Sequence, residues 1–212
     1  MTVPFFDLRP QFAAIGEELQ RAVCGALEST QYILGAEVES LERELAEFTG
    51  ADYAIGVSSG TDALLMSLMA LGVGPGDFVI VPDFTFFATA GVVARLNAVP
   101  VFIDIDPVTF NLDVEVLRSW LDEHVPERAR VKAIVPVHLY GQCADVGGIL
   151  DAAGEVPVLA YAAQAIGASL PGTSGARQAG TMGLTGSFSF FPTKNLGGVG
   201  DGGLVTTNDE NL

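Results

Sequence analysis

The 212 residues contain two lysines, and one of them stands where an amine can do chemistry. Lys194 lies in Phe191-Pro192-Thr193-Lys194-Asn195, an apolar turn bordered by glycines and placed just past a β-rich run. A lysine in such a turn loses water, which lowers its pKa and frees the amine for imine formation with a carbonyl. Lys132 opens another β-rich run beside Arg128 and Arg130. It reads as a solvated strand end, because lysine is rarely buried.

A second candidate is Ser58-Ser59-Gly60-Thr61-Asp62-Ala63, which follows a strand-like run and opens an apolar helical stretch. Small residues let the backbone approach an anion, and a helix amino terminus adds unpaired N–H groups and a favourable dipole, so the segment suits a phosphate. The same residues also spell an ordinary N-cap by Ser59 or Thr61. Phe84-Thr85-Phe86-Phe87 offers aromatic faces for stacking on a flat ring, against the reading that these phenylalanines are core. The run 198–203, Gly-Val-Gly-Asp-Gly-Gly, has the spacing of a dinucleotide fingerprint but precedes a strand instead of following one. Its glycines are expected to allow tight backbone near Lys194.

These segments need strand ends beneath them. From Tyr53 onward short β-rich runs alternate with helical patterns, which predicts parallel strands joined by crossover helices. The predicted strands are 53–57, 78–81, 99–103, 131–137, 157–160, 186–190 and 203–207, and the predicted helices between the earlier ones are 61–71, 85–96, 113–123 and 145–153. Two further helical patterns, 10–28 and 36–48, form an amino-terminal arm over residues 1–50, with the main domain over 51–212. The stretch 169–184 lapses into Gly, Ser, Thr and Pro and is expected to be an irregular connection. The expected fold is α/β, a three-layer sandwich around a seven-stranded, mostly parallel sheet.

Composition excludes several classes of function. A formal net charge of −16 with ten basic residues leaves little to neutralise phosphates, which argues against nucleic acid or an anionic membrane as partner. Cys24, Cys143 and two histidines lack metal-ligand or disulfide spacing, so no metal is expected and a reducing, cytoplasmic location is. The amino end has the wrong order of charge and apolarity for a secretory signal. Residues 84–103 approach the length of a membrane span, but Arg95, Asn97 and Pro100 break them, and a helix followed by a buried strand explains the pattern.

The chain resembles the DegT/DnrJ/StrS family of fold-type-I, pyridoxal-phosphate-dependent sugar-nucleotide aminotransferases. The likeness is carried by Gln31-Tyr32-Ile33-Leu34-Gly35, residues 58–64 and 82–88, Asn111-Leu112-Asp113, Pro136-Val137-His138-Leu139-Tyr140-Gly141, Ala162-Ala163-Gln164-Ala165, and residues 187–197 and 200–203. It implies pyridoxal 5'-phosphate as cofactor, with Lys194 forming the Schiff base and shuttling a proton. It further implies that Gly60, Thr61 and Ser189 hold the phosphate, Phe86 stacks on the ring, and Gln164 hydrogen-bonds near the ring oxygen. His138 takes either a substrate-side role or that of a satisfied core histidine. Implied partners are an amino donor such as glutamate, a nucleotide-linked keto-sugar and a second copy of the chain in a homodimer. A related dehydratase branch has histidine at the lysine position, and Lys194 argues against it.

The chain departs from the family's pattern at Tyr161, where the resemblance calls for an aspartate paired with the pyridine nitrogen. A phenol, with an ordinary pKa of about 10, is neutral there and does not hold the ring cationic. The resemblance also implies a smaller carboxyl-terminal domain beyond the last strand, absent from these residues. Together the two departures keep open an alternative: a catalytically impaired or inactive family member that serves as a binding or sensor subunit.

Overall fold

The computed structural model describes residues 3–172 and 176–212. Its elements run α1 (Arg9–Ser29), α2 (Ala36–Thr49), β1 (Tyr53–Val57), α3 (Gly60–Ala70), β2 (Phe78–Pro82), α4 (Ala88–Arg95), β3 (Val99–Ile103), α5 (Val114–Glu123), α6 (Val125–Arg128), β4 (Val131–Ile134), α7 (Val146–Ala153), β5 (Leu159–Tyr161), β6 (Ser169–Leu170), β7 (Arg177–Gln178), β8 (Thr185–Ser189) and β9 (Gly203–Thr207). A single 3₁₀ turn, Leu139–Gly141, stands between β4 and α7.

The helices start where short polar side chains satisfy their free N–H groups. Ser59 caps α3, Asp113 caps α5 by accepting from the N–H groups of Glu115 and Val116, and Asp145 caps α7. Gly50 ends α2 at φ 74°, a left-handed turn that glycine adopts without steric cost. α3 is apolar around most of its circumference because it is buried on several sides, its Leu64 and Leu68 being fully enclosed.

Three layers result. Val79 and Val81 of β2 face α3 and α4, joined by Val92, Val93, Ala133, Val135 and Leu159. Ile80 and Ile134 point the other way, into a cluster with Leu117 and Leu121 of α5 and Ile149 of α7. The period-two alternation of the strands thus feeds both cores from one central sheet layer. A third cluster brings Leu45 of α2 against Phe188 and Leu204.

The seven predicted strands all form, but as two hydrogen-bonded sheets, of order β1-β9-β8-β5 and β3-β2-β4. β2 runs parallel to β3 and β4, and β5 parallel to β8, whereas β9 is antiparallel to both of its neighbours. The two sheets meet where Ile134 bridges Val158 and Val137 bridges Tyr161, both parallel. The rung between those bridges is missing because Pro136 has no N–H to donate. For the same reason β4 stops at Ile134, short of the predicted 137.

Residues 169–184 are less irregular than expected, since β6 and β7 pair antiparallel within them; residues 173–175 of that stretch lie outside the described residues. α6 and the 3₁₀ turn were not predicted, being too short for periodicity to reveal. Residues 84–103 resolve into α4 and β3, and no helix among the described residues is long and apolar enough to cross a membrane.

Candidate active site

The tip of α3 is wedged against the ends of β8 and β9. A β-carbon on Gly60 would lie 2.5 Å from the Cβ of Ser189, and one on Gly203 would lie 2.4 Å from the carbonyl carbon of Ser59. Glycine at both positions is what allows this approach. Ser59 Oγ accepts from the Asp62 N–H at 3.0 Å, so the N-cap reading of this segment is correct. It leaves the N–H groups of Gly60 and Thr61, the first two of the helix, without an intrahelical acceptor. The cap therefore leaves these two N–H groups available at the helix tip.

Lys194 stands in the turn after β8, its N–H donating to the Phe191 carbonyl at 2.8 Å. Gly197 closes that turn so tightly that a β-carbon there would lie 2.4 Å from the Pro192 oxygen. Gly197 lies just before the run 198–203; within that run Gly203 alone is too tightly packed for a β-carbon, against Ser59, while Gly198, Gly200 and Gly202 have ordinary or open space around them. The side chain is half-buried, and this burial pulls the amine below the ordinary lysine value of 10.5. Its Nζ lies 6.0 Å from the centre of the Phe86 ring. Phe86 is 60% exposed, and Phe84 and Phe87 are exposed as well, so these phenylalanines are not core. Lys132 is exposed.

A cavity of about 400 Å³ connects these groups, walled by Gly60, Thr61, Phe86, Tyr161, Ser189 and Lys194. A narrower space beside it shares Phe86, Tyr161 and Lys194 and adds His138 and Gln164. Gly60, Thr61, Phe86, His138, Tyr161, Gln164, Ser189 and Lys194 thus each line one of two adjoining spaces, whereas Lys132, Phe84 and Phe87 line neither. Phe191, Thr193 and Asp201 also line the larger cavity. Asp201, whose Oδ1 accepts from the Gly202 N–H at 3.0 Å, was not anticipated, although an acid within a glycine run was its signal.

The polar side chains of the site have fixed roles in its hydrogen bonding. Gln164 Oε1 accepts from the Tyr140 N–H at 2.7 Å. With that oxygen engaged, the amide NH₂ is the free end of the side chain. His138 is fully enclosed, and its Nδ1 accepts from the Ala144 N–H at 3.0 Å, which puts the proton on Nε2. That Nε2 has no partner among the described residues. Burial lowers the imidazole pKa from 6.5 to about 4 and so keeps it neutral at pH 7. Tyr161, at the end of β5 and 4% exposed, has its phenol pushed up to about 12 by burial. It too is neutral at pH 7.

Residues 13–212 match the DegT/DnrJ/EryC1/StrS aminotransferase family. The chain belongs to this family. It is 47% identical over 212 residues to a UDP-2-acetamido-2-deoxy-3-oxo-D-glucuronate aminotransferase of Pseudomonas aeruginosa, covering 99% of this chain and 56% of that enzyme. A family aminotransferase from Brucella abortus superposes with a TM-score of 0.91 at 40% identity, again over 99% of this chain and 56% of the other. NtdA from Bacillus subtilis, solved with bound cofactor PMP, superposes with a TM-score of 0.86 at 32% identity, over 99% of this chain and 46% of the other. The chain spans a little over half the length of the Pseudomonas aeruginosa enzyme and of a pleiotropic regulatory protein of Geobacillus stearothermophilus, to which it is 46% identical over 214 residues.

Proposed function

We propose that the chain is the cofactor-holding part of a sugar-nucleotide aminotransferase that uses pyridoxal 5'-phosphate and works as a homodimer. It would transfer an amino group from a donor such as glutamate to a nucleotide-linked keto-sugar. Residues 51–212 would hold the cofactor, with residues 1–50 as an arm. A cleft lined by Phe12 and Ile15 of α1 on one side and by Pro192 and Val199, beside the lysine turn, on the other supports that part for the arm.

The observation that carries the reading is the pairing of a desolvated amine with an anion-receiving helix tip across one cavity of suitable size. The wall residues fit a phosphorylated pyridine aldehyde. Gly60 and Thr61 offer N–H donors to the phosphate, Ser189 a hydroxyl, Phe86 a ring face, and Gln164 an NH₂ to the phenolic oxygen. When bound, the cofactor supplies a carbonyl for amines to condense with and an electron sink for the substrate carbon.

The chain's own residues do the rest. Half-burial keeps a share of Lys194 unprotonated, and so nucleophilic, below the ordinary lysine range. With the cofactor bound, the same Nζ would be the group placed to hold and move a proton at the donor carbon. Phe86, 6.0 Å from Nζ, limits the tilt of a flat ligand beside it. Tyr161 and His138 present only neutral groups, and among the described residues the one carboxylate lining either space is that of Asp201, on the exposed side.

The test is direct. Pyridoxal phosphate added to the chain, followed by borohydride reduction and peptide mapping, is expected to label Lys194 and to spare Lys132. The visible absorption of the complex is expected to vanish in Lys194→Ala. Label on Lys132 alone, or none, overturns the reading. The neutral Tyr161 favours a second reading, a binding or sensor member of the family that takes up cofactor without transaminating. Cofactor capture without any half-reaction with glutamate is the result that selects it.

A further inference from the structure

The turn after β4 contains a backbone feature that side-chain packing does not explain. Tyr140 adopts φ 53° and ψ 24°, the left-handed region that disfavours residues with a β-carbon, and Gly141 follows at φ 87°. Its side chain is 74% exposed, so burial of the ring does not offset the strain. The turn is instead held from both ends. Asn111 Oδ1 accepts from the Leu139 N–H at 3.3 Å, while its Nδ2 donates to the carbonyls of Gln142 and Cys143 at 3.4 and 3.3 Å. The His138 N–H donates to the Tyr161 carbonyl at 2.9 Å, and His138 Nδ1 receives the Ala144 N–H. A strained conformation persists where its surroundings over-determine it, and such positions gather at functional sites.

The conformation aims the Tyr140 N–H at Gln164 Oε1, at 2.7 Å. A flipped carboxamide would set its NH₂ against that N–H, donor to donor, so one orientation is selected. Gly141 lets the turn close on Gln164 because its φ of 87° lies where a residue with a β-carbon is strained.

We infer that the Tyr140 backbone N–H is a positioning group which locks the Gln164 carboxamide, so that its NH₂ is the donor offered to a ligand's phenolic oxygen in the Lys194 cavity. The inference rests on the proposed cofactor, and labelling of Lys194 in the unaltered chain tests that premise separately. Tyr140 acts through Gln164 and touches no reacting atom. An NH₂ directed at a phenolate oxygen draws electron density from it and lowers the proton affinity of the imine conjugated with it. Loss of the lock raises that affinity.

The experiment replaces the peptide bond between Leu139 and Tyr140 by an ester, which removes the N–H and keeps every side chain. The readout is the pH midpoint of the visible absorption of the cofactor-loaded chain. An upward shift of about one pH unit is expected, the size of one charge-assisted hydrogen bond. In a Gln164→Ala background, itself shifted upward, the ester is expected to add nothing further. Tyr140→Ala, which retains the N–H, is expected to keep the native midpoint. The inference is overturned if the ester leaves the native midpoint in place, if its shift persists undiminished without Gln164, or if Tyr140→Ala reproduces it. If the ester chain does not fold, Gln164→Glu decides. It keeps an acceptor for the Tyr140 N–H but lacks the NH₂, so its midpoint must rise; an unmoved midpoint overturns the inference.

Discussion

Gly60 and Ser189 approach so closely that a methyl group on the first would lie 2.5 Å from the β-carbon of the second. Gly60→Ala must therefore push the tip of α3 off the end of β8. Overpacking of this kind costs about 1–3 kcal/mol. The larger expected effect is on anion binding, because the freed N–H groups move with the tip. Titration with pyridoxal phosphate is expected to show affinity at least about tenfold weaker, and unchanged affinity refutes the cradle.

His138 connects the same region to pH. Its folded pKa lies at about 4 against 6.5 in the free state, so between those values the unfolded chain binds more protons. This contribution is intact above pH 6.5 and is lost as pH falls towards 4. Its size is on the order of 3 kcal/mol. His138→Asn keeps an acceptor for the Ala144 N–H and removes the titration. Urea midpoints between pH 7 and 4.5 are expected to fall less steeply in the variant; parallel slopes refute this account.

Lys194 is expected to behave in the opposite sense from a paired lysine. Its folded pKa is lowered below 10.5, so the penalty for burying the charged amine is complete at neutral pH and disappears as pH rises through that window. Lys194→Met is expected to melt slightly higher than the parent at pH 7, with the difference closing as pH approaches the lysine range. The effect is small because the side chain is half in water. A lower melting temperature for Lys194→Met contradicts the desolvation argument.

At Tyr161 the measurement is a half-reaction. A carboxylate facing a protonated ring nitrogen contributes about 1.5–3 kcal/mol as a charge-assisted hydrogen bond. Tyr161→Asp, in a protein completed to the length of its relatives, is then expected to react with glutamate about ten- to a hundredfold faster. The parent pH–rate profile should show no ionisation from Tyr161 below neutrality or near it, since the phenol titrates at about 12. An unchanged rate in Tyr161→Asp sinks the electron-sink argument.

Much of this was legible in the sequence because its signals are local. Short β-rich runs alternating with helical patterns located the strands and helices, Ser59 offered a cap for its helix, and Lys194 was conspicuous because lysine is scarce. Pro136 explains why β4 is shorter than its apolar run and why the sheet divides in two, a tertiary effect of one missing donor. The N–H of Tyr140 is common to nearly every residue type, so no pattern of side chains could signal its aim at Gln164. Asp201 joins the cavity only because the chain doubles back after β8, and a glycine-rich run does not disclose that path.

The interrupted rung at Pro136 puts a crease down the middle of the sheet. Phe86 follows β2 on one leaf and Lys194 follows β8 on the other, so a molecule gripped by both is stitched across the fold line. The leaves are each laced by continuous ladders, whereas the crease relies on two isolated bridges. A ligand in the cavity would therefore stiffen the layer where it is weakest, and the amides of Ile134, Val135, Val137 and His138 are where slowed hydrogen exchange would register that it has arrived.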